Sequence, residues 1–145
     1  CIGKVLSENE DAMYAFFLFD IDNFKQANDR FGHVFGDMAI KEFTAVIRGH
    51  FCENDILGRI GGDEFAAFLP AENLETVEAK AKEISLSLSR TFTDGVSSWK
   101  MSASIGVAVA PRDGKDFVSL YKNADAALYE TKQRGKNGYT ISGRL

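Results

Sequence analysis

"DILGRIGGDEFAAFLP", Asp55 to Pro70, sets two short apolar runs on either side of Gly61-Gly62 and places two carboxylates, Asp63 and Glu64, directly after the glycines. The runs read as two strands joined in a hairpin, because glycine can supply the positive φ angles that tight turns require. In the second strand Phe65, Ala67 and Leu69 point one way and Ala66 and Phe68 the other. Both faces are apolar, so both need cover. The negative charge sits at the turn and needs a counterpart from elsewhere in the chain.

Upstream, "YAFFLFDI" (Tyr14–Ile21) is apolar on both faces and rich in aromatics, which suits a central buried strand with Asp20 and Asp22 at its end. From Asp37 the residues Ile40, Phe43, Val46 and Ile47 recur at helical spacing, with Gly36-Asp37 offering a turn and an N-cap. Downstream, Asn73 caps a long helix with the stripe Leu74, Val77, Ala81, Ile84 and Leu88. "KMSASIGVAVAP" reads as one strand closed by Pro111. Asp116 starts a helix that turns Phe117, Leu120, Ala124 and Leu128 inward and ends near Gly135, and "GYTI" is a last short strand. Strand, helix, two hairpin strands, helix and strand make a split βαβ unit, here extended by a further helix and strand. The fold class is α+β: a ferredoxin-like βαββαβ core with a mainly antiparallel central sheet flanked by helices.

With 145 residues, 45% of them hydrophobic, the chain suits one domain over residues 1–145. It opens at Cys1 without an initiator Met, and the expectation is a domain cut from a longer multidomain protein. Cys1 and Cys52 lack metal-ligand spacing and read as free thiols in a reducing compartment. The net charge of -4 argues against binding a nucleic-acid polymer, which dense Lys and Arg would hold. "YAFFLF" is far too short to span a bilayer. The domain is expected to be soluble, cytoplasmic and free of membrane contact, while the parent protein can be membrane-anchored.

In a split βαβ sheet the first strand lies beside the hairpin, so the acidic pair Asp20 and Asp22 can meet the pair Asp63 and Glu64. Two carboxylates a few ångströms apart repel by about 4 kcal/mol at intermediate dielectric unless a proton or cation sits among them. Hard oxygen ligands favour Mg²⁺ or Mn²⁺, and Mg²⁺ completes its shell with substrate phosphates, which points to a nucleotide. Solvated loop charges are the plainer reading of the same residues. Two details favour the ligand: the glycines leave room for close backbone approach, and Lys25 follows the first acidic pair by one short turn. Lys132 and Lys136, in "YETKQRGKNGY", add cations, which would otherwise serve the helix dipole. In "NDRFGHVFGD", Asn28 can give and accept while Asp37 can take both donors of guanine's Watson–Crick edge. The alternative makes Asp37 an N-cap and Asn28 a turn residue.

Taken together, "FDIDNFK", "NDRFGHVFGD", "GRIGGDEF", "SIGVA" and "ALYETKQRGKN" are similar in order and spacing to the signatures of the GGDEF family of diguanylate cyclases. The similarity runs from about Tyr14 to the C-terminus. It implies a palm-like, nucleotide cyclase-like domain that converts two GTP molecules to cyclic di-GMP and two pyrophosphates with Mg²⁺ or Mn²⁺, two ions per active half-site. On this resemblance Asp20 and Asp63 ligate the metal by side chain and Ile21 by its carbonyl. Asp63 also helps deprotonate the attacking 3′-hydroxyl, with Glu64 in a supporting part. Lys25 stabilises charge on the phosphates, which the backbone of Asn23, Phe24 and Lys25 cradles. Lys132 reaches the terminal phosphate, and Lys136 stands where an arginine is common. Asn28 and Asp37 meet guanine, with His33 lining the same pocket. One domain holds one GTP, so a homodimer is implied, together with a tethered sensor or other signalling domain.

The alternative from another class is a catalytically silent GTP-binding module that controls a tethered domain. A receptor for cyclic di-GMP is weakened by a departure from the family pattern: the Arg-x-x-Asp product-inhibition site reads "CEND", Cys52 to Asp55, with Asp55 kept and no arginine. A cyclase with relaxed base choice is opposed by Asp37, which would face adenine's acceptor N1. The usual Asp-x-Leu-Thr turn ahead of the domain is also not visible. Without the guanidinium fork at Cys52 the bidentate grip on guanine or phosphate is lost. Titration of cyclic di-GMP into a metal-free Asp63→Ala variant is therefore expected to show weak binding or none, and tight binding would contradict this.

Overall fold

The computed structural model describes residues 13–52 and 55–143. Cys1, the stretch where the turn ahead of the domain was sought, and Glu53 and Asn54 of "CEND" lie outside the described residues. Strand β1 (Tyr14–Ile21) occupies the centre of a five-stranded sheet in the order β2-β3-β1-β6-β7. β2 (Ile56–Arg59) and β3 (Glu64–Pro70) form the hairpin, β6 (Ala103–Ala110) lies on the other side of β1, and β7 (Gly138–Ile141) is the far edge. β1 runs antiparallel to both β3 and β6, whereas β7 is parallel to β6. This is the predicted split βαβ core with its appended helix and strand.

The two-faced pattern of β1 sorts into two cores. Ala15, Phe17, Phe19 and Ile21 pack with Ile40, Phe43 and Ile47 of α2 (His33–Arg48) and with Val77, Ala81, Ile84 and Leu88 of α3 (Leu74–Leu88). Tyr14, Phe16 and Leu18 pack with Leu120, Ala124 and Leu128 of α4 (Phe117–Gln133). Phe16, Phe17, Leu18 and Phe19 are fully buried, each worth roughly 1.5–3 kcal/mol of transfer free energy. The caps also hold: Asn73 Oδ1 accepts from Thr76 N at 2.8 Å and Asp116 Oδ1 accepts from Ser119 N at 2.8 Å.

Four local expectations are corrected. Gly36-Asp37 is neither a turn nor a cap. A short helix α1 (Phe24–Phe31) is followed at once by α2, and the break between them is Gly32, with φ at 94°. Gly36 serves close packing instead: a Cβ there would lie 1.7 Å from Asn28 Oδ1, so a larger residue would displace the Asn28 side chain where α1 meets α2. The single strand over Lys100–Pro111 is broken at Ser102. Its first part is β5 (Ser98–Met101), paired with β4 (Arg90–Thr93) in a separate hairpin. That hairpin closes through Asp94, whose Oδ1 accepts from Val96 N and Ser97 N at 2.9 and 2.7 Å, and through Gly95 at φ 96°. An Asp-Gly pair is a strong turn signal.

Phe117 is 43% exposed rather than inward, its ring meeting Phe16 edge-on at 5.6 Å. Finally, Gly61 and Gly62 are not among the positive-φ glycines, and a Cβ on either meets nothing within 4 Å. Their turn is held instead by Arg59, whose Nε donates to Gly61 O at 3.0 Å and whose guanidinium donates to Gly62 O at 2.6 Å.

β6 lies so close to α4 that a Cβ on Gly106 would sit 2.1 Å from Ala124 O and 2.4 Å from Leu128 N. Both are backbone atoms and cannot rotate away. Gly106→Ala is expected to destabilise the domain by about 1–3 kcal/mol, read as a lower urea midpoint at unchanged slope.

Candidate functional site

Antiparallel pairing brings the ends of β1 and β3 to one edge of the sheet. Asp20 stands opposite Glu64 in register, and Ile21 N donates to Asp63 O at 3.1 Å. Alternation along β1 puts Asp20 on the face that α4 covers, where Lys132 from the last turn of α4 forms an ion pair with Asp20 Oδ2. A cavity of about 200 Å³ opens here. Among the predicted site residues, Asp20, Ile21, Asn23, Phe24, Lys25, Asp63, Lys132 and Lys136 all line it, together with Asp22 and Gln26.

Burial pushes the Asp20 carboxyl up, the Asp63 charge adds to that, and Lys132 opposes it without cancelling it. Burial alone would pull Lys132 down, but its hydrogen bond to Asp20 and the charges of Asp20, Asp63 and Asp22 leave it above its ordinary value. Lys132 thus acts as counter-ion to the Asp20 carboxylate, with Asp63 and Asp22 adding to its hold on the proton. Asp20 Oδ1 is buried and has no hydrogen-bond partner, which is the condition expected of an oxygen reserved for a ligand.

Among the described residues no group of three or more His, Cys, Asp or Glu is gathered as a metal cage. The carboxylates of Asp20 and Asp63 form a sparse oxygen set at the cavity. That fits Mg²⁺, which keeps waters and takes phosphate oxygens, better than an all-protein site. Asn23 starts α1 in a left-handed conformation, φ 57°, with no side-chain cap. The first-turn N–H groups of α1 are therefore free of a capping side chain, as phosphate binding at a helix start requires. Lys136 Nζ donates to Asn23 Oδ1 at 2.9 Å, closing that side.

The remaining predicted residues lie away from this cavity. His33 and Asp37 are exposed on the first turns of α2, and Asn28 lies on α1 over Gly36 with its Oδ1 buried and unpartnered. Glu64 does not line the cavity; its Oε1 accepts from Tyr121 OH at 2.8 Å, a contact that pushes the phenol up to about 12. Asp22, read beside Asp20 as half of an acidic pair, is 4% exposed and turned inward. It accepts from Ser102 Oγ, Ser104 Oγ and Asn137 N. The two acidic pairs are therefore divided by their partners: Asp22, though it also lines the cavity, and Glu64 are held by protein donors, while Asp20 keeps an unpartnered oxygen beside Asp63. Ser102, Ser104, Asn137, Tyr121 and Arg59 were not legible as site-supporting residues, since most of these contacts join segments distant in the chain.

A family model described as "Diguanylate cyclase, GGDEF domain" matches residues 3–138. The bifunctional diguanylate cyclase/cyclic di-GMP phosphodiesterase MucR of Pseudomonas aeruginosa is 35% identical over 130 residues, covering 90% of this chain and 19% of MucR. The cyclic di-GMP phosphodiesterase PdeR of Escherichia coli is 33% identical over 122 residues, covering 84% of this chain and 18% of PdeR. The chain thus spans about a fifth of the length of these curated relatives. Among solved structures, the GGDEF domain of YfiN (TpbB) from Pseudomonas aeruginosa superposes with a TM-score of 0.91 at 30% identity, covering 99% of this chain and 92% of that one.

Because the Asp20 carboxyl is raised above its ordinary 3.8, the folded chain binds that proton more tightly than the unfolded one. Ionised Asp20 then weakens the fold once pH exceeds the raised value, and the effect is absent below the unfolded value. Asp20→Asn is expected to melt higher than the wild type near pH 7, with the gap closing as pH falls towards about 4. Equal melting temperatures across that range would contradict the assignment.

Proposed function

Because the chain belongs to the diguanylate cyclase GGDEF-domain family, we propose that it condenses two GTP molecules into cyclic di-GMP and two pyrophosphates. The observation that carries this is the cavity in which Asp20 Oδ1 is buried and unpaired beside Asp63, with Lys25, Lys132 and Lys136 on its walls. Two acids whose oxygens can ligate a hard cation and three lysines that can donate to phosphate oxygens suit a triphosphate site.

Asp20, Asp63 and the Ile21 carbonyl are the residues that would hold Mg²⁺ or Mn²⁺, two ions per half-site. When bound, such ions neutralise phosphate charge and acidify a hydroxyl. Lys132 moves from Asp20 to the terminal phosphate once the pocket fills. Lys25 and the start of α1 hold the phosphates on the other side, and Lys136 is fixed by Asn23 near the same wall. Asn28, together with His33 and Asp37 of α2, receives guanine, and the unpaired Asn28 Oδ1 is an acceptor for one of the base's donors. Asp63 takes the proton as the 3′-oxygen attacks the α-phosphorus of the opposed GTP and pyrophosphate departs. Glu64, engaged with Tyr121, supports the strand end next to Asp63.

One domain presents one triphosphate, so two domains must face each other, as a homodimer, for each 3′-oxygen to reach the other's α-phosphorus. The region that brings them together, and a tethered sensor or other signalling domain, belong to the longer protein of which this domain is read as part. Among the described residues no helix is long and apolar enough to cross a membrane. A free, exposed Cys52 thiol and a GTP substrate fit a cytoplasmic setting. The second reading, a silent GTP-binding module, draws on similarity to a relative named only as a phosphodiesterase.

Purified protein incubated with GTP and Mg²⁺ is expected to yield cyclic di-GMP by mass spectrometry, at a rate that rises faster than linearly with protein concentration. Asp63→Ala is expected to reduce that rate by about 10³-fold or more. Absence of product at high concentration, in a chain extended through its natural dimerising region, would favour the silent module.

A further inference from the structure

Asp22 is a buried acid to which the proposed chemistry assigns no task. It lies two residues from Asp20 and lines the same cavity, yet its oxygens are already used. Oδ1 accepts from Ser104 Oγ at 2.6 Å, and Oδ2 accepts from Ser102 Oγ at 2.7 Å and Asn137 N at 2.9 Å. Its own N–H donates to Ser102 O at 2.9 Å. A carboxylate that accepts three protein donors, against about four acceptor positions, and is 4% exposed is held mainly by the protein.

The backbone around it is unusual. Among the described residues, the non-glycine residues with positive φ are Asn23, Lys136 and Asn137, at 57°, 65° and 47°. Asn23 is the next residue after Asp22, Asn137 is hydrogen-bonded to the Asp22 carboxylate, and Lys136 precedes Asn137. A second contact, Lys136 Nζ to Asn23 Oδ1 at 2.9 Å, joins the same two segments. Sparsely populated backbone conformations persist where the surroundings over-determine them. Here both left-handed turns are tied to one carboxylate, and both form walls of the nucleotide cavity.

We propose that Asp22 is a positioning residue rather than a metal ligand. It ties the end of β1, the Ser102–Ser104 stretch and the loop after α4 into one unit. That unit holds Asn23 at the start of α1 and Lys136 against each other as one wall of the cavity that receives the nucleoside triphosphate. The proposal rests on reading this cavity as the triphosphate site.

Asparagine separates the two roles. Placed in the same rotamer, its carbonyl oxygen can accept from Asn137 N and Ser102 Oγ while its amide donates to a reoriented Ser104 hydroxyl. Asp22→Asn therefore keeps the tie and Asp22→Ala removes it. Three quantities are measured on the wild type and both variants: amide hydrogen exchange at Asn137, affinity for a non-hydrolysable GTP analogue with Mn²⁺, and the split between KM and kcat. Asp22→Ala is expected to speed exchange at Asn137 by about tenfold or more and to weaken analogue binding by about 10–100-fold, as for other groups that orient a site. The loss should appear in KM more than in kcat. Asp22→Asn is expected to stay within about threefold of wild type in all three.

Should Asp22→Ala fail to fold, Ser102→Ala removes one of the donors to Oδ2 and is expected to move exchange and affinity in the same direction by a smaller factor. Asp22→Asn losing Mn²⁺-dependent binding as severely as an Asp20→Asn control would make Asp22 a ligand and overturn the proposal. Unchanged exchange and affinity in both Asp22→Ala and Ser102→Ala would overturn it equally. If the wild type binds no GTP analogue, the cyclase reading fails and the nucleotide half of this proposal fails with it, while Asn137 exchange still decides whether the tie exists.

Discussion

The pairing of β1 with β3 is the constraint on which the site depends. Because Asp20 faces Glu64 in register and Ile21 N bonds to Asp63 O at 3.1 Å, the acidic ends of two strands reach the same edge of the sheet. A slip of one residue in that register would send Asp20 to the opposite face and leave Lys132 without its partner. Register is secured by the core behind it, where Phe17, Phe19, Phe65, Ala67 and Leu69 fill one side of the sheet and Phe16 and Phe68 the other. The apolar pattern therefore does more than bury surface. It sets which charges meet.

That meeting is unfavourable by itself. Burial and the neighbouring Asp63 hold Asp20 above its ordinary protonation range, and Lys132 offsets only part of this. One of the Asp20 oxygens has no hydrogen-bond partner. A buried acceptor without a donor costs about 1–3 kcal/mol, a cost that persists at sites built to receive something else. The rest of the domain supplies the margin, through two apolar cores and the caps at Asn73 and Asp116. The balance is the familiar exchange of stability for a prepared site.

The acids next to Asp20 and Asp63 show how position decides role. Asp22 and Glu64 have the same chemistry as their neighbours and sit within two residues of them. Asp22 is answered by two serine hydroxyls and a backbone N–H, and Glu64 by the Tyr121 hydroxyl. Each of those donors comes from another part of the chain. A carboxylate answered by the protein steadies the site, whereas one left with an open oxygen is available to a ligand.

The elements with strong, continuous patterns were legible from the sequence. Tyr14–Ile21, the hairpin from Ile56 to Pro70, the stripe of α3, that of α4 from Leu120 onward, and the caps at Asn73 and Asp116 are local signals, and each survives folding because the neighbouring elements agree with it. The misread stretches were those where a local signal had two meanings. Gly36 looked like a turn and is a point of close helix contact with Asn28. Lys100–Pro111 looked like one strand and divides at Ser102, because the Asp94-Gly95 turn folds its first part into another hairpin.

By itself the sequence determined the α+β class, the central strand, the family resemblance and the types of residue that a triphosphate site needs. Only the tertiary structure decided which of four neighbouring acids are left open, that Lys132 is the counter-ion of Asp20, and that Asp22 joins its own strand end to two distant segments. The reason is physical: helix and strand patterns follow from neighbours along the chain, whereas the ionisation and hydrogen bonding of a carboxylate follow from neighbours in space. Those neighbours, Ser102, Ser104, Lys132 and Asn137, lie far from Asp20 and Asp22 in the sequence and reach them only when the sheet and α4 have packed.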